Sequence, residues 1–227
     1  MGISQQIGAS SLSKPGVCTS STRPATPYEG QMIYETDTDL TYIYGGAAWQ
    51  QIAGGTAVGN SGLVYVGQTT SGATDSTVTL DNIFSSTYNA YKIVVSGGSS
   101  SAYLVLTLQL LDSAGAPITS GYYETFIYSA YTGSTVLAAN ASNASRFERM
   151  GGTMGANAAY GSCELINPYL AVPTIYFNSP RTDTAGGNAG QSLGHQSSAA
   201  SCRGIKITTG AGTVDNIKLT AYGYRLG

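Results

Sequence analysis

The single histidine of the chain, His195, stands among Ser192, Ser197 and Ser198, with Asp183 upstream. Serine, imidazole and carboxylate are the parts of a hydrolytic triad, in which the imidazole takes the hydroxyl proton and the acid orients the imidazole. The context argues against that use. None of these serines lies in a strand-to-helix nucleophile elbow, and neighbours along one loop rarely hold triad geometry. His195 reads as a surface histidine. Asp37 and Asp39, with Glu35 close by, offer oxygens to a hard cation. Their spacing lacks the glycine and the later glutamate of a calcium loop, and a turn capped by aspartate side chains accounts for them. Cys18, Cys163 and Cys202 contain no CxxC. They are odd in number and widely spaced, so neither a disulfide framework nor a zinc site with the single histidine is expected, and a Cys163–Cys202 pairing is the one bridge left open. No metal site and no cofactor are expected.

The remaining charged residues are scattered. Glu148, flanked by Arg146 and Arg149, reads as a cross-strand or solvated charge, while Glu124 and Glu164 fall inside apolar runs and should face solvent or pair with an arginine. A polysaccharide-degrading enzyme needs two carboxylates on one cleft, and nothing in this spacing supplies them. The chain reads as non-enzymatic. Tyrosine is the better candidate for binding. Tyr122, Tyr123, Tyr128 and Tyr131 cluster in one predicted strand and its turn. Tyrosine with serine, glycine and asparagine makes an adaptable surface of the kind that binds glycans. The same tyrosines also suit half-buried positions on a pleated sheet.

Composition narrows the class. The 227 residues hold 42% hydrophobic and 10% charged residues, with a net charge of −2. That charged fraction is far below the roughly 25% of ordinary globular proteins, while the apolar fraction suffices for folding. With 17 tyrosines and 30 glycines, this is the composition of a β-rich surface protein. No basic patch offers an electrostatic footprint for nucleic acid. No apolar run approaches the ~20 residues of a membrane-spanning helix. The N-terminal "MGISQQIGAS" lacks the charged and apolar regions of a secretory signal, and Gln6 spoils a myristoylation pattern at Gly2. The sequons at Asn140 and Asn143 would matter only in a secretory route.

The elements fall into three parts. Residues 1–22 form an extended, Ser-rich arm with apolar points at Ile3, Ile7 and Leu12, and Pro15-Gly16 interrupts any helix. Such an arm orders only when a partner holds it. Residues 23–55 read as a three-stranded meander, "GQMIYET", "LTYIY" and "AAWQQI", separated by Asp37-Thr38-Asp39 and Gly45-Gly46. Alternation puts Met32 and Tyr34 on one face of the first strand. It puts Leu40, Tyr42 and Tyr44 on one face of the second, and Trp49 opens the third. A sheet this small is marginal unless its apolar face is covered, and its own sequence offers no obvious neighbour. These apolar points and aromatics are therefore candidates for attachment and oligomerisation. After a Gly-rich joint at 53–62, residues 56–227 read as an antiparallel, jelly-roll-like sandwich with short strands and turn chemistry between them. Residues 134–147 and 183–201 are expected as polar loops. The fold class is all-β.

The segment "CTSSTRPATPYEGQMIYETDTDLTYIYGGAAWQQI" resembles one that recurs in bacteriophage fibre and virion structural proteins, notably of marine and cyanobacterial phages. The resemblance rests on Arg23-Pro24, Gly30 to Thr38, Tyr42 to Tyr44 and Gly46 to Trp49. Residues 85–115 and the closing "NIKLTAYGYR" are similar, more loosely, to the sandwich domains that follow such segments. The resemblance implies a virion component, often trimeric, made in the host cytoplasm and attached to capsid or tail proteins through its N-terminal part. A short fibre or capsid decoration is the first expectation. A tail-associated adhesion module binding host surface glycan, through Tyr122 to Tyr131 or the 183–201 segment, is the alternative.

Overall fold

The computed structural model describes residues 15–54, 62–154, 157–178, 181–183 and 188–225. Every regular element among them is a strand. The chain divides into two compact units, one formed by residues up to Asn60 and the other running from Ser61 to Leu226.

The first unit is a sheet of β1 (Gly16–Cys18), β2 (Met32–Glu35), β3 (Leu40–Tyr44) and β4 (Trp49–Gly54), in that spatial order. The last three form the expected antiparallel meander. Asp39, in the first turn, adopts φ 55°, and Gly46, in the second, adopts φ 89°, the left-handed conformation that Asp and Gly tolerate. The sheet has one strand more than expected. Residues 16–18, placed by sequence in the arm, pair in parallel with β2, Gly16 beside Ile33 and Cys18 beside Glu35. A parallel pair needs a crossover, and residues 19–31 supply it. Arg23, in that crossover, lies 4.3 Å above the ring of Tyr42 and forms an ion pair with Glu35. Ile33 and Glu35 are both fully buried. The face bearing Tyr42 thus has a neighbour within its own sequence, which corrects the expectation that it had none.

The second unit comprises β5 (Gly62–Thr70), β6 (Thr77–Leu80), β7 (Ala90–Gly97), β8 (Ser99–Ser100), β9 (Val105–Leu111), β10 (Tyr122–Ala130), β11 (Val136–Ala144) and β12 (Phe147–Met154). It continues through β13 (Asn157–Ile166), β14 (Thr174–Asn178), β15 (Arg181–Asp183), β16 (Asn188–Gln196), β17 (Gly204–Thr209), β18 (Val214–Asp215) and β19 (Lys218–Arg225). Strands β8 and β18 form a two-stranded ladder, and the other thirteen share one hydrogen-bonded sheet that folds back on itself. The fold is at β13. One edge of β13 pairs with β7 throughout, while the other pairs first with β12 and then with β14. One layer therefore runs β5-β19-β7-β13-β14-β16-β10-β11, with the short β15 also paired to β16, and the other β6-β17-β9-β12. At the corner, a Cβ on Gly151 would lie 2.4 Å from the Tyr160 carbonyl oxygen and 2.8 Å from Gly161 Cα, so only glycine permits the approach.

Alternation fills the space between the layers. Tyr91, Ile93 and Val95 of β7, with Cys163 and Leu165 of β13, face Leu106, Leu108 and Leu110 of β9 and Ile205 and Ile207 of β17. Each leucine, isoleucine or valine among them contributes about 1.5–3 kcal/mol on burial. Phe147 sits between Tyr122 and Tyr176, at ring distances of 4.9 and 4.0 Å. Cys163 and Cys202 are buried free thiols, so no disulfide joins them. The result is the expected all-β antiparallel sandwich.

Two segments differ from expectation. Most of residues 134–147 is strand β11, and the 183–201 segment contains β16, which lies between β10 and β14 in the sheet. Strand β11 is exposed along most of its length, so no apolar alternation announces it. On β16 the inward positions include Gly190, Ser192 and Gly194. A Cβ on Gly190 would approach Phe126 Cε2 to 2.7 Å and Tyr128 Cβ to 2.6 Å. Neighbouring aromatic side chains occupy the space, and the strand carries small residues instead of an apolar stripe.

Candidate functional site

Strand β10 sends Tyr122, Glu124 and Phe126 to the interior and Tyr123, Thr125 and Ile127 to the outer face. Register then fixes their neighbours. Tyr123 pairs with His195 of β16, and His195 pairs with Ile175 of β14. One step along, Asn140 of β11, Thr125 and Leu193 lie in a second row. The two rows, with Ser142 of β11, line a shallow groove of about 500 Å³. Tyr123 and His195 stack at 5.0 Å with ring planes 10° apart. Leu193 and Ile175 remain 51% and 43% exposed. Among the described residues, the side chains of Tyr123, Thr125, Asn140, Ser142 and His195 make no hydrogen bond within the chain. The groove therefore offers hydrogen-bonding groups without partners inside the chain, beside an aromatic ring and an apolar floor, and the buried Glu124 also borders it.

The four candidate tyrosines are not equivalent. Tyr122 belongs to the interior, fully buried, its hydroxyl oxygen accepting from the Leu110 amide at 2.8 Å; this removes it from any surface site. Burial pushes its phenol well above the ordinary tyrosine range. Tyr128 stacks on Phe126 at 4.9 Å, on the face opposite Tyr123. Tyr131 is exposed in the turn after β10. Only Tyr123 lines the groove. His195 lies on a strand, not in a loop, with Ser192 pointing to the interior. Leu193 and His195 fall in the 183–201 segment that the sequence offered for glycan binding, though as a loop and not a strand. Asn140, Ser142 and Ile175 were not singled out for binding, because β11 was read as a loop and Ile175 lies on the exposed side of β14.

The carboxylates are also placed. Glu124, only 3% exposed, lies on the interior side with Oε2 accepting the Glu148 amide at 2.5 Å and Oε1 without a partner. Neither expected environment, solvent or an arginine pair, applies to it. Desolvation raises its pKa above the usual carboxylate range. Glu148 pairs with Arg146 at 3.3 Å, and Glu164 accepts from the Tyr224 hydroxyl at 2.6 Å. In the first unit, the carboxylate of Asp37 accepts from the amide and hydroxyl of Ser20, and Asp39 accepts from the Tyr34 hydroxyl at 2.6 Å. Among the described residues, no three His, Cys, Asp or Glu side chains are grouped to hold a metal ion.

The attachment candidates split between the two faces of the small sheet. Ile33 stands opposite Tyr42, whereas Met32 stands opposite Ile43, so Met32 and Tyr34 lie on the face away from Tyr42 and Tyr44. Trp49 meets Tyr44 edge-on at 5.4 Å. Ile3, Ile7 and Leu12 lie outside the described residues, as does the centre of the Gly-rich joint. No family model, curated protein or solved structure matches this chain.

Proposed function

We propose that this chain is a non-enzymatic bacteriophage virion structural protein, a short fibre or capsid decoration attached to the particle through its N-terminal unit. One observation carries the reading. Arg23, itself partly exposed, packs over Tyr42 and pairs with the buried Glu35 on the face that also bears the buried Ile33, all within the segment that resembles virion proteins. The resembling segment is thus a self-contained folded unit, and the sandwich is a second. Attachment and display are then divided between them. The small sheet keeps apolar groups for a partner, since Val17 is 70% exposed and Met32, Tyr34 and Ile43 share the face opposite the Arg23 crossover. The partners are capsid or tail proteins and two further copies in a homotrimer at the particle surface.

Deleting residues 1–55 tests the proposal. The truncated chain should stay soluble and be missing from purified particles, while the full chain is incorporated; retained incorporation sinks the idea. Sedimentation equilibrium of the full chain should give three times the monomer mass. A second reading, a tail-associated adhesion module for host glycan, draws on the groove of the sandwich that Tyr123 and His195 line. Antibody labelling of particles separates the readings, because decoration places label over the head and adhesion places it at the tail.

A further inference from the structure

We infer that the groove between β11, β10, β16 and β14 is a binding site for a neutral saccharide. The inference rests on the second reading for its biological use, but its chemistry stands on the groove alone. A hexopyranose presents hydroxyl groups at its rim and a C–H face, so its site needs unspent hydrogen-bonding groups around an aromatic or apolar platform. Tyr123 and His195 stack face to face, which takes up their inner ring faces, so the platform is the surface this pair leaves toward the groove together with the exposed Leu193 and Ile175. The Asn140 amide and the Ser142 hydroxyl stand on the neighbouring strand, with no partner inside the chain among the described residues. No lysine or arginine lines the groove. A sialylated or sulfated sugar would find no fixed positive charge there, and that selects the neutral class.

The site is shaped by the sheet. Asn140 and Ser142 alternate outward along β11, while Tyr123 and His195 are opposite residues of an antiparallel pair. Gly194, beside His195, has no room for a side chain, since its Cβ would lie 2.1 Å from the Tyr123 carbonyl oxygen. A larger residue there would force β10 and β16 apart. A groove this open buries one or two sugar rings at most, so a single copy should bind at about millimolar strength. Several copies on one particle would raise the avidity.

The test applies the full-length protein to an array of neutral, sialylated and sulfated oligosaccharides, followed by calorimetric titration with the neutral oligosaccharide of strongest signal. Binding should be confined to neutral glycans. Tyr123→Ala should weaken it about tenfold or more, and Tyr103→Ala, an exposed tyrosine outside the groove, should leave it unchanged. Asn140→Ala, at an exposed position on an edge strand, guards against a folding artefact and should also lose affinity at unchanged melting temperature. An array with no neutral signal overturns the site, as does preference for acidic glycans or binding that survives both groove variants. Self-association that Tyr123→Ala abolishes would also overturn it, by assigning the groove to a second copy. If saccharide binding is confirmed but particles carrying Asn140→Ala adsorb normally to host cells, the site stands and the adhesion reading falls.

Discussion

Phe147 of the sandwich is enclosed by Tyr122 and Tyr176 and backed by leucines and isoleucines from both layers, whereas Ile33 of the small sheet shares its interior with an ion pair. Both bury their central side chains, but by different means. Apolar burial in the sandwich is non-directional and spread over many side chains. Cohesion in the small sheet is concentrated in the contact of Arg23 with Glu35 and Tyr42. A distributed core loses part of its stability with any one residue. A concentrated one depends on a single group, because removing the arginine leaves a carboxylate buried without its countercharge. The two units should therefore fail under different conditions.

The sole tryptophan, Trp49, belongs to the small sheet, so its fluorescence reports that unit while far-UV circular dichroism is dominated by the sandwich. The largest effect is expected from Phe147→Ala, which should cost about 3–5 kcal/mol and shift the dichroism transition in urea. Trp49 fluorescence should keep its midpoint; movement of both would break the comparison. Arg23→Ala should do the reverse, unfolding the small sheet at denaturant concentrations that leave the sandwich intact. The same contact gives an acid dependence. The Arg23 guanidinium holds Glu35 below the usual carboxylate range, so its stabilisation is complete above that range and disappears as pH falls through the depressed value. Trp49 fluorescence during acid titration should show this loss before dichroism changes.

Glu124→Gln sharpens the contrast from the other side, with a smaller effect of a few degrees in melting temperature. Burial raises the Glu124 pKa, so the wild-type sandwich bears a penalty that grows as pH rises above the ordinary carboxylate range and levels off above the raised value. The variant should melt higher at neutral pH and together with wild type in mild acid; equal melting at both pH values would refute the assignment. The smallest change is expected for Val136→Ser at an exposed edge position, within about 0.5 kcal/mol by either probe.

Much of this was readable in the residues. The strands with apolar alternation, such as "YKIVVSG" and "RGIKITT", appear within a residue or so of where that pattern puts them. The strands that sequence missed lack the pattern for physical reasons. β11 is an edge with few buried positions, and β16 meets bulky side chains with glycine and serine. Those two strands carry Asn140, Ser142, Leu193 and His195, so although the 183–201 segment was a binding candidate, the register that brings these residues together was hidden. Tyr123 was legible as a candidate, but nothing local separated it from Tyr122, one residue away on the opposite face.

Composition, alternation and turn chemistry by themselves determined the all-β class, the meander and most sandwich strands, because each depends on residues close together in the chain. The Arg23–Glu35 contact, the addition of β1, the buried fate of Glu124 and the meeting of Tyr123 with His195 were decided only in three dimensions. Each depends on register between distant segments, and a shift of one residue in a strand exchanges its buried and exposed faces.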